Sequence, residues 1–172
     1  MSDSNHSIIQ LSTDNLSLLT QLKQFMQALT PDQYLSTSPK LQCGSIGAHV
    51  RHILDHYLSL LSAQNSMDYD RRERSQAIEQ DVWLATDMLD SITHQLQSLN
   101  QDRALMIRSS TNLEYRPEAV SSSLARELNF LYSHTTHHMA IVRLLAIHMG
   151  IRVNSDFGKA VSTKKYELNV QS

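Results

Sequence analysis

At 172 residues, 41% hydrophobic and 19% charged, the chain has enough apolar material for one domain with a substantial core and too little for two. Its formal net charge of −2 at pH 7 provides no global attraction to nucleic acid or an anionic membrane. A lone cysteine, Cys43, excludes an intrachain disulfide and a thiolate cluster, so metal chemistry has to use histidine and carboxylate. The opening MSDSNHSIIQLS shows no basic segment followed by an apolar one, and no run approaches the length of a membrane span, so a soluble, cytoplasmic protein is expected.

Four glycines and three prolines stand where an average protein of this length carries roughly twelve and nine, and long unbroken helices follow from that scarcity. The first is expected at about 13–29, where Leu16, Leu19, Leu22, Phe25, Met26 and Leu29 recur at helical steps behind a cap at Thr13 or Asp14, and Pro31 closes the run. The second follows Gly44, with Ser45 as cap and Ile46, Val50, Ile53, Leu54, Tyr57, Leu58 and Leu61 as its apolar stripe. NSMDYDRRERS then reads as a solvated loop. A third helix spans about 75–99, with Ile78, Val82, Trp83, Met88, Leu89, Ile92, Leu96 and Leu99 turned inward. In ALMIRSSTNLEYRPEA, short β-prone pieces flank a turn and Pro117 forbids a helix, so a small hairpin or extended crossover is expected there. The fourth helix starts near residues 121–123, where the serines supply the cap, and ends at about Met149 before Gly150. The tail after Gly150 is expected to pack along the outside. These elements make an all-α fold, a four-helix bundle with one longer crossover, in a single domain over residues 1–172 whose core covers about 10–150.

Chemistry concentrates on two of these helices. SHTTHHMAIVRLL places His134 and His138 four residues apart, about 40° around the helix and on the stripe of Ile141 and Leu145, with His137 on its flank. IGAHVRHILDHYLSLL spaces His49, His52 and His56 by three and then four residues, again on one face. Buried imidazoles need partners. Two inward histidine faces either converge on a divalent metal, with open positions for water or substrate, or satisfy one another through hydrogen bonds.

SIGAHVRHILDHYLSLL and SLARELNFLYSHTTHHMAIVRLL resemble the two metal-binding helices of the DinB/YfiT-like superfamily, four-helix bundles that hold a divalent metal with three histidines. NSDFGKAVSTKKYE resembles the C-terminal ending of an uncharacterised bacterial branch of DinB-like proteins, so the likeness runs from about residue 10 to 168. The resemblance implies His52 as the ligand on the second helix, His134 and His138 as the HxxxH pair on the fourth, and zinc or nickel as the ion. It also implies a small-molecule substrate and, first among reactions, transfer involving a low-molecular-weight thiol. Metal-assisted hydrolysis stands second, and a non-catalytic metal-stabilised bundle or small-molecule sensor third. His49 and His56 do not map onto ligands; they either donate to bound water or substrate, or orient and pack against the ligands.

Glu127 lies two turns before His134, about 10 Å along the helix axis, and either faces substrate as a carboxylate or pairs with a neighbouring helix. Asp55 either orients an imidazole or is an ordinary exposed carboxylate. Cys43 reads as a small buried residue, and Arg51 and Arg143 as surface or subunit-contact residues of a chain able to form a homodimer. Trp83 reads as core.

Overall fold

The computed structural model describes the backbone of residues 2–114 and 117–170 and, over the same stretches, the side chains from residue 7 onward. Among the described residues, seven α-helices and three strands follow one another as α1 (Ser2–Gln27), α2 (Pro31–Leu35), α3 (Ile46–Ser62), β1 (Ser66–Asp68), α4 (Gln76–Gln80), α5 (Val82–Gln97), β2 (Ala104–Arg108), β3 (Val120–Ser123), α6 (Leu124–His148) and α7 (Val161–Val170). The protein is therefore mostly helical but not all-α. None of the described helices is long and apolar enough to cross a membrane.

The helix that matters most begins as its sequence dictates. Gly44 takes φ +83°, a left-handed turn that a side chain would strain, and Ser45 then caps α3 by accepting the backbone N–H of Ala48 at 3.0 Å. Gly47 meets α4 so closely that a Cβ there would fall 2.2 Å from the Glu79 carbonyl oxygen. Tyr34 of α2 fixes the same corner by donating to the Ile78 carbonyl at 2.8 Å. Along α3 the residues Ile46, Val50, Ile53, Leu54, Tyr57 and Leu60 are buried. α3 packs on α5 and α6, and α1 packs on the same two helices. A polar link crosses this interior: Tyr57 donates to Asn15, Thr135 donates to Tyr57, and Asn15 donates to the Leu128 carbonyl.

Several expectations are corrected. α1 starts at Ser2, well before the expected cap, and Thr13 donates to the Ile9 carbonyl within the helix. The expected third helix is two: Asp81 accepts the backbone N–H groups of Trp83 and Leu84, so the chain restarts at Val82 as a new helix instead of continuing α4. That restart sets the inward stripe of α5 to Val82, Ala85, Leu89, Ile92 and Leu96 and leaves Trp83 59% exposed, not in the core. The stretch read as a solvated loop holds β1 and a 3-10 turn (Tyr69–Arg71), because Met67 and Tyr69 turn inward while Ser66, Met67 and Asp68 pair in parallel with Met106, Ile107 and Arg108. β2 pairs antiparallel with β3, Leu105 opposite Ser122 and Ile107 opposite Val120, but β3 follows the stretch where the hairpin was expected and takes up serines read as the start of the fourth helix. Residues 115–116 of that crossover lie outside the described residues. Ser123 caps α6 as expected, whereas Ser121 and Ser122 belong to β3.

The tail is not merely an outer layer. Phe157 is buried with its ring centroid 4.8 Å from that of Phe25. Gly158, at φ +68°, lies so close to the α6 backbone that a Cβ would come within 2.6 Å of Met139 and Ala140. α7 itself carries no buried residue. Ile8 and Phe157 join one hydrophobic cluster with the interior faces of α1, α3, α5 and α6.

Candidate metal centre

α3 and α6 lie side by side, and their histidine faces meet. The ring centroid of His52 lies 4.4 Å from those of His56 and His138 and 5.0 Å from that of His134. His134 lies 4.4 Å from His56 and 4.6 Å from His138. One nitrogen from each of His52, His56 and His134 falls within 4.8 Å of the others, so these three histidines could hold a metal ion. His49 flanks the group with its Nδ1 3.0 Å from Nδ1 of His138. His137 is exposed, its ring set edge-on to His138 at 5.2 Å.

Burial keeps the cluster neutral. It lowers His52 from 6.5 to about 2, with further depression by the neighbouring imidazoles His56 and His138, the Arg72 guanidinium and then His134. His56 and His134 fall to about 4 and His138 to about 3, with burial first in each case. Burial also lowers His49, partly offset by its bond to the Cys43 carbonyl. Neutral imidazole is the ligating form, so the donor set fits a divalent metal ion.

The tautomers follow from what each partner is able to give or take. The Cys43 carbonyl, 2.6 Å from His49 Nε2, accepts only, so His49 carries its proton on Nε2 and accepts at Nδ1. His138 must then donate from Nδ1, which leaves its Nε2 lone pair free beside His52 and His134. The His52 carbonyl, 2.7 Å from His56 Nδ1, likewise fixes the His56 proton on Nδ1 and leaves Nε2 open. Arg72 donates to His52 Nδ1 at 3.0 Å, so His52 carries its proton on Nε2 and gives it to His134 Nε2, also at 3.0 Å. His52 and His134 thus face each other through Nε2, His56 and His138 keep an unprotonated Nε2, and of the four only His52 bears hydrogen there.

Aromatic rings wall the cluster on one side. Phe130 stacks on His134 at 5.4 Å, and Tyr69 lies 5.4 Å from His56 and 5.3 Å from Phe130. Beyond them opens a cavity of about 570 Å³ lined by Tyr69, Ile107, Ser122, Arg126, Glu127 and Phe130 among others. Glu127 is fully buried, and its oxygens are taken by Tyr69 at 2.6 Å, by Ser122 and by Arg126 at 2.8 Å. It therefore forms the anchored floor of this cavity and pairs with a residue of its own helix, not with a neighbouring helix. Burial and the Glu127 carboxylate raise Tyr69, so it stays a phenol.

Asp55 is buried, contrary to the expectation of an exposed carboxylate, and burial raises it above the usual range. Its Oδ2 has no hydrogen-bond partner among the described residues, the Arg51 Nε standing 3.9 Å away. Arg51 is half-buried between Asp55 and Glu79, 3.3 Å from the latter, and so is no free surface residue. Arg143 and Cys43 are also partly buried, Cys43 packing against the core as expected.

Arg72 and Tyr69 are the site residues the sequence reading passed over. Both lie in the stretch taken as a loop. The one signal for them was the alternation of Met67 and Tyr69, a strand period inside a polar run.

Comparison with known proteins adds little to this geometry. No family model and no solved structure matches the chain. Over 104 residues it is 28% identical to FK506-binding protein 5 of Rhizopus delemar, a match that covers 58% of this chain and 27% of that protein. The chain thus spans about a quarter of the length of that relative.

Proposed function

We propose that the chain is a DinB/YfiT-like four-helix bundle that binds one divalent metal, zinc or nickel, between α3 and α6 and acts on a small molecule. The observation that carries this reading is the convergence of four neutral imidazoles from two helices, centred on the 3.0 Å approach of His52 Nε2 to His134 Nε2. His52 and His134 are common to the set the resemblance implies and the set the interatomic spacing gives. For the third, the family resemblance favours His138, whose Nε2 is left open by its bond to His49, and interatomic spacing favours His56.

A divalent ion held by three neutral imidazoles lowers the pKa of a bound thiol or water toward neutrality. The chain's own residues divide the remaining work. His49 holds the His138 ring through Nδ1, with the Cys43 carbonyl fixing His49 in turn. Phe130 and Tyr69 keep water from one side of the imidazoles and form the wall shared with the 570 Å³ cavity, where the small molecule binds. Glu127 fixes the Tyr69 and Ser122 hydroxyls at its floor. Thiol-dependent transfer is the first assignment and hydrolysis the second.

The presence of both His56 and His138 favours one further reading, in which all four imidazoles ligate and the ion is structural. Elemental analysis and zinc titration of the wild type and of single alanine variants at His52, His56, His134 and His138 test the set. About one metal per chain is expected, with binding lost at His52→Ala and His134→Ala and at one of the other two. Loss at all four, with a cobalt-substituted spectrum indifferent to added thiol, would assign the closed site. No metal in any preparation would refute the metal reading.

A further inference from the structure

The imidazoles do not all meet an incoming ion in the same state. His56 and His138 offer an open Nε2, and His134 Nε2 accepts a hydrogen bond that an ion is able to replace. His52 differs because a guanidinium only donates: with Arg72 on Nδ1, the lone pair of His52 faces Arg72 and the proton sits on Nε2. Ligation through Nε2 requires that proton to move to Nδ1, where it would then oppose the Arg72 N–H, donor against donor. Ligation through Nδ1 puts the ion where the guanidinium already is. On either route Arg72 has to leave, and the repulsion between two cations acts in the same direction.

The fold provides a place for it to go. Asp55, three residues beyond His52 on α3, is 4% exposed, and its Oδ2 has no hydrogen-bond partner among the described residues. Asp55 and Arg72 line the same cavity of about 560 Å³, together with Ser59 and Ser75. Arg72 is tethered at one end of its guanidinium by a 2.6 Å bond to the Tyr69 carbonyl, while its buried Nε has no hydrogen-bond partner among the described residues. Movement of the guanidinium within that shared cavity would exchange the neutral acceptor for an ionic one.

We propose that Arg72 is an internal competitor for the metal: it occupies the His52 lone pair in the metal-free protein and moves to Asp55 when the ion binds. The proposal rests on the metal reading above and adds that loading the site is coupled to a swing of this one side chain. Asp55 thereby favours the metal-bound state without touching the ion.

Competition titration with zinc at pH 7.5 tests it on the full chain as wild type, Arg72→Met, Asp55→Asn and the double variant. Arg72→Met is expected to tighten zinc binding about tenfold, the equilibrium weight of one charge-assisted hydrogen bond. Asp55→Asn is expected to weaken binding in the wild type and to change nothing in the Arg72→Met background, which separates a destination for Arg72 from general damage to the fold. Unchanged or weaker binding in Arg72→Met would overturn the proposal, since it would make Arg72 a residue that merely orients His52. An independent arm needs no metal: nitrogen-15 spectra of the metal-free wild type are expected to show His52 protonated at Nε2, and an Nδ1–H tautomer there would overturn the proposal even with zinc binding intact. If no variant binds zinc, the metal reading and the proposal fall together. If the wild type binds and Arg72→Met binds no tighter, the proposal alone fails.

Discussion

His138 is readied by a neighbour. Its Nδ1 proton goes to His49, whose own Nε2 proton goes to the Cys43 carbonyl, and this two-step chain leaves the Nε2 lone pair of His138 free. Partners of this kind, one bond removed from a ligand, carry a measurable share of metal affinity. His49→Phe keeps an aromatic ring in a nearly buried position while removing the acceptor, so zinc affinity is expected to drop by about 10- to 100-fold with little change in fold. A competition titration reads the change directly, with circular dichroism as the check on folding. Affinity equal to that of the wild type would take His138 out of the ligand set and leave His52, His56 and His134. His56 is fixed differently, through a backbone carbonyl of its own helix, so its orientation depends on α3 alone. The two candidates for the third ligand are thus distinguishable at the level of one residue.

α3 is positioned at its N-terminal end, five residues before His52. Gly47 faces the Glu79 carbonyl and the Tyr34 ring, where an added Cβ would sit at 2.2 and 2.8 Å, and a backbone carbonyl cannot yield as a flexible side chain does. Gly47→Ala is therefore expected to push α4 away from α3 and to cost about 1–3 kcal/mol, read as a lower urea midpoint. A midpoint unchanged from wild type would mean that α4 is loosely held and does not position the histidine helix. The same helix shows why part of the fold was legible in the sequence. Its start and most of its stripe are local: Gly44 and Ser45 set the first turn, and one apolar period runs from Ile46 to Tyr57, after which Leu60 is buried and the expected Leu58 and Leu61 are only half-buried. α6 was legible for the same reason, from Ser123 to Gly150. β1 was not, because a three-residue strand is stabilised by pairing with Met106, Ile107 and Arg108, some forty residues away, and leaves only the brief alternation of Met67 and Tyr69 as a signal. The break at Asp81 was hidden by an apolar pattern that continues across it; the carboxylate that caps α5 rotates Trp83 out to solvent. Phe157 and Gly158 lie in no periodic segment, so nothing announced that the tail closes on Phe25 and on α6 beside His138. For the site, the histidine faces were readable as helical spacing, while Arg72 and the burial of Asp55 depend on how β1 and the turn after it fold back over α3.

Taken as a whole, the molecule carries a group of imidazoles that its interior keeps neutral, and this makes stability depend on acidity. The sign follows from where the protons bind. In the unfolded chain these histidines titrate near 6.5, whereas in the folded protein burial holds His56 and His134 at about 4, His138 at about 3 and His52 at about 2, with His49 also lowered. Below 6.5 the unfolded state therefore binds more protons than the folded one. The stabilisation is fully present above pH 6.5 and is lost as the pH falls from there through about 4 and below. Each proton of difference tilts the unfolding free energy by about 1.4 kcal/mol per pH unit, and several histidines act together. Asp55 acts in the opposite sense, because burial raises its folded value and acidification relieves an ionised buried carboxylate, but it is one group against five. Urea midpoints measured in the presence of a chelator are thus expected to be level between pH 8 and 7 and to decline steadily from pH 6.5 to 4.5. Zinc adds to the folded state only, so the loaded protein is expected to lie above the metal-free curve at pH 7.5 and to converge on it as protons compete for the same nitrogens. Midpoints that stay level down to pH 5 would show that the imidazoles are hydrated and titrate normally. Convergence would then move up to the ordinary histidine range, and burial would no longer account for neutral imidazoles between α3 and α6.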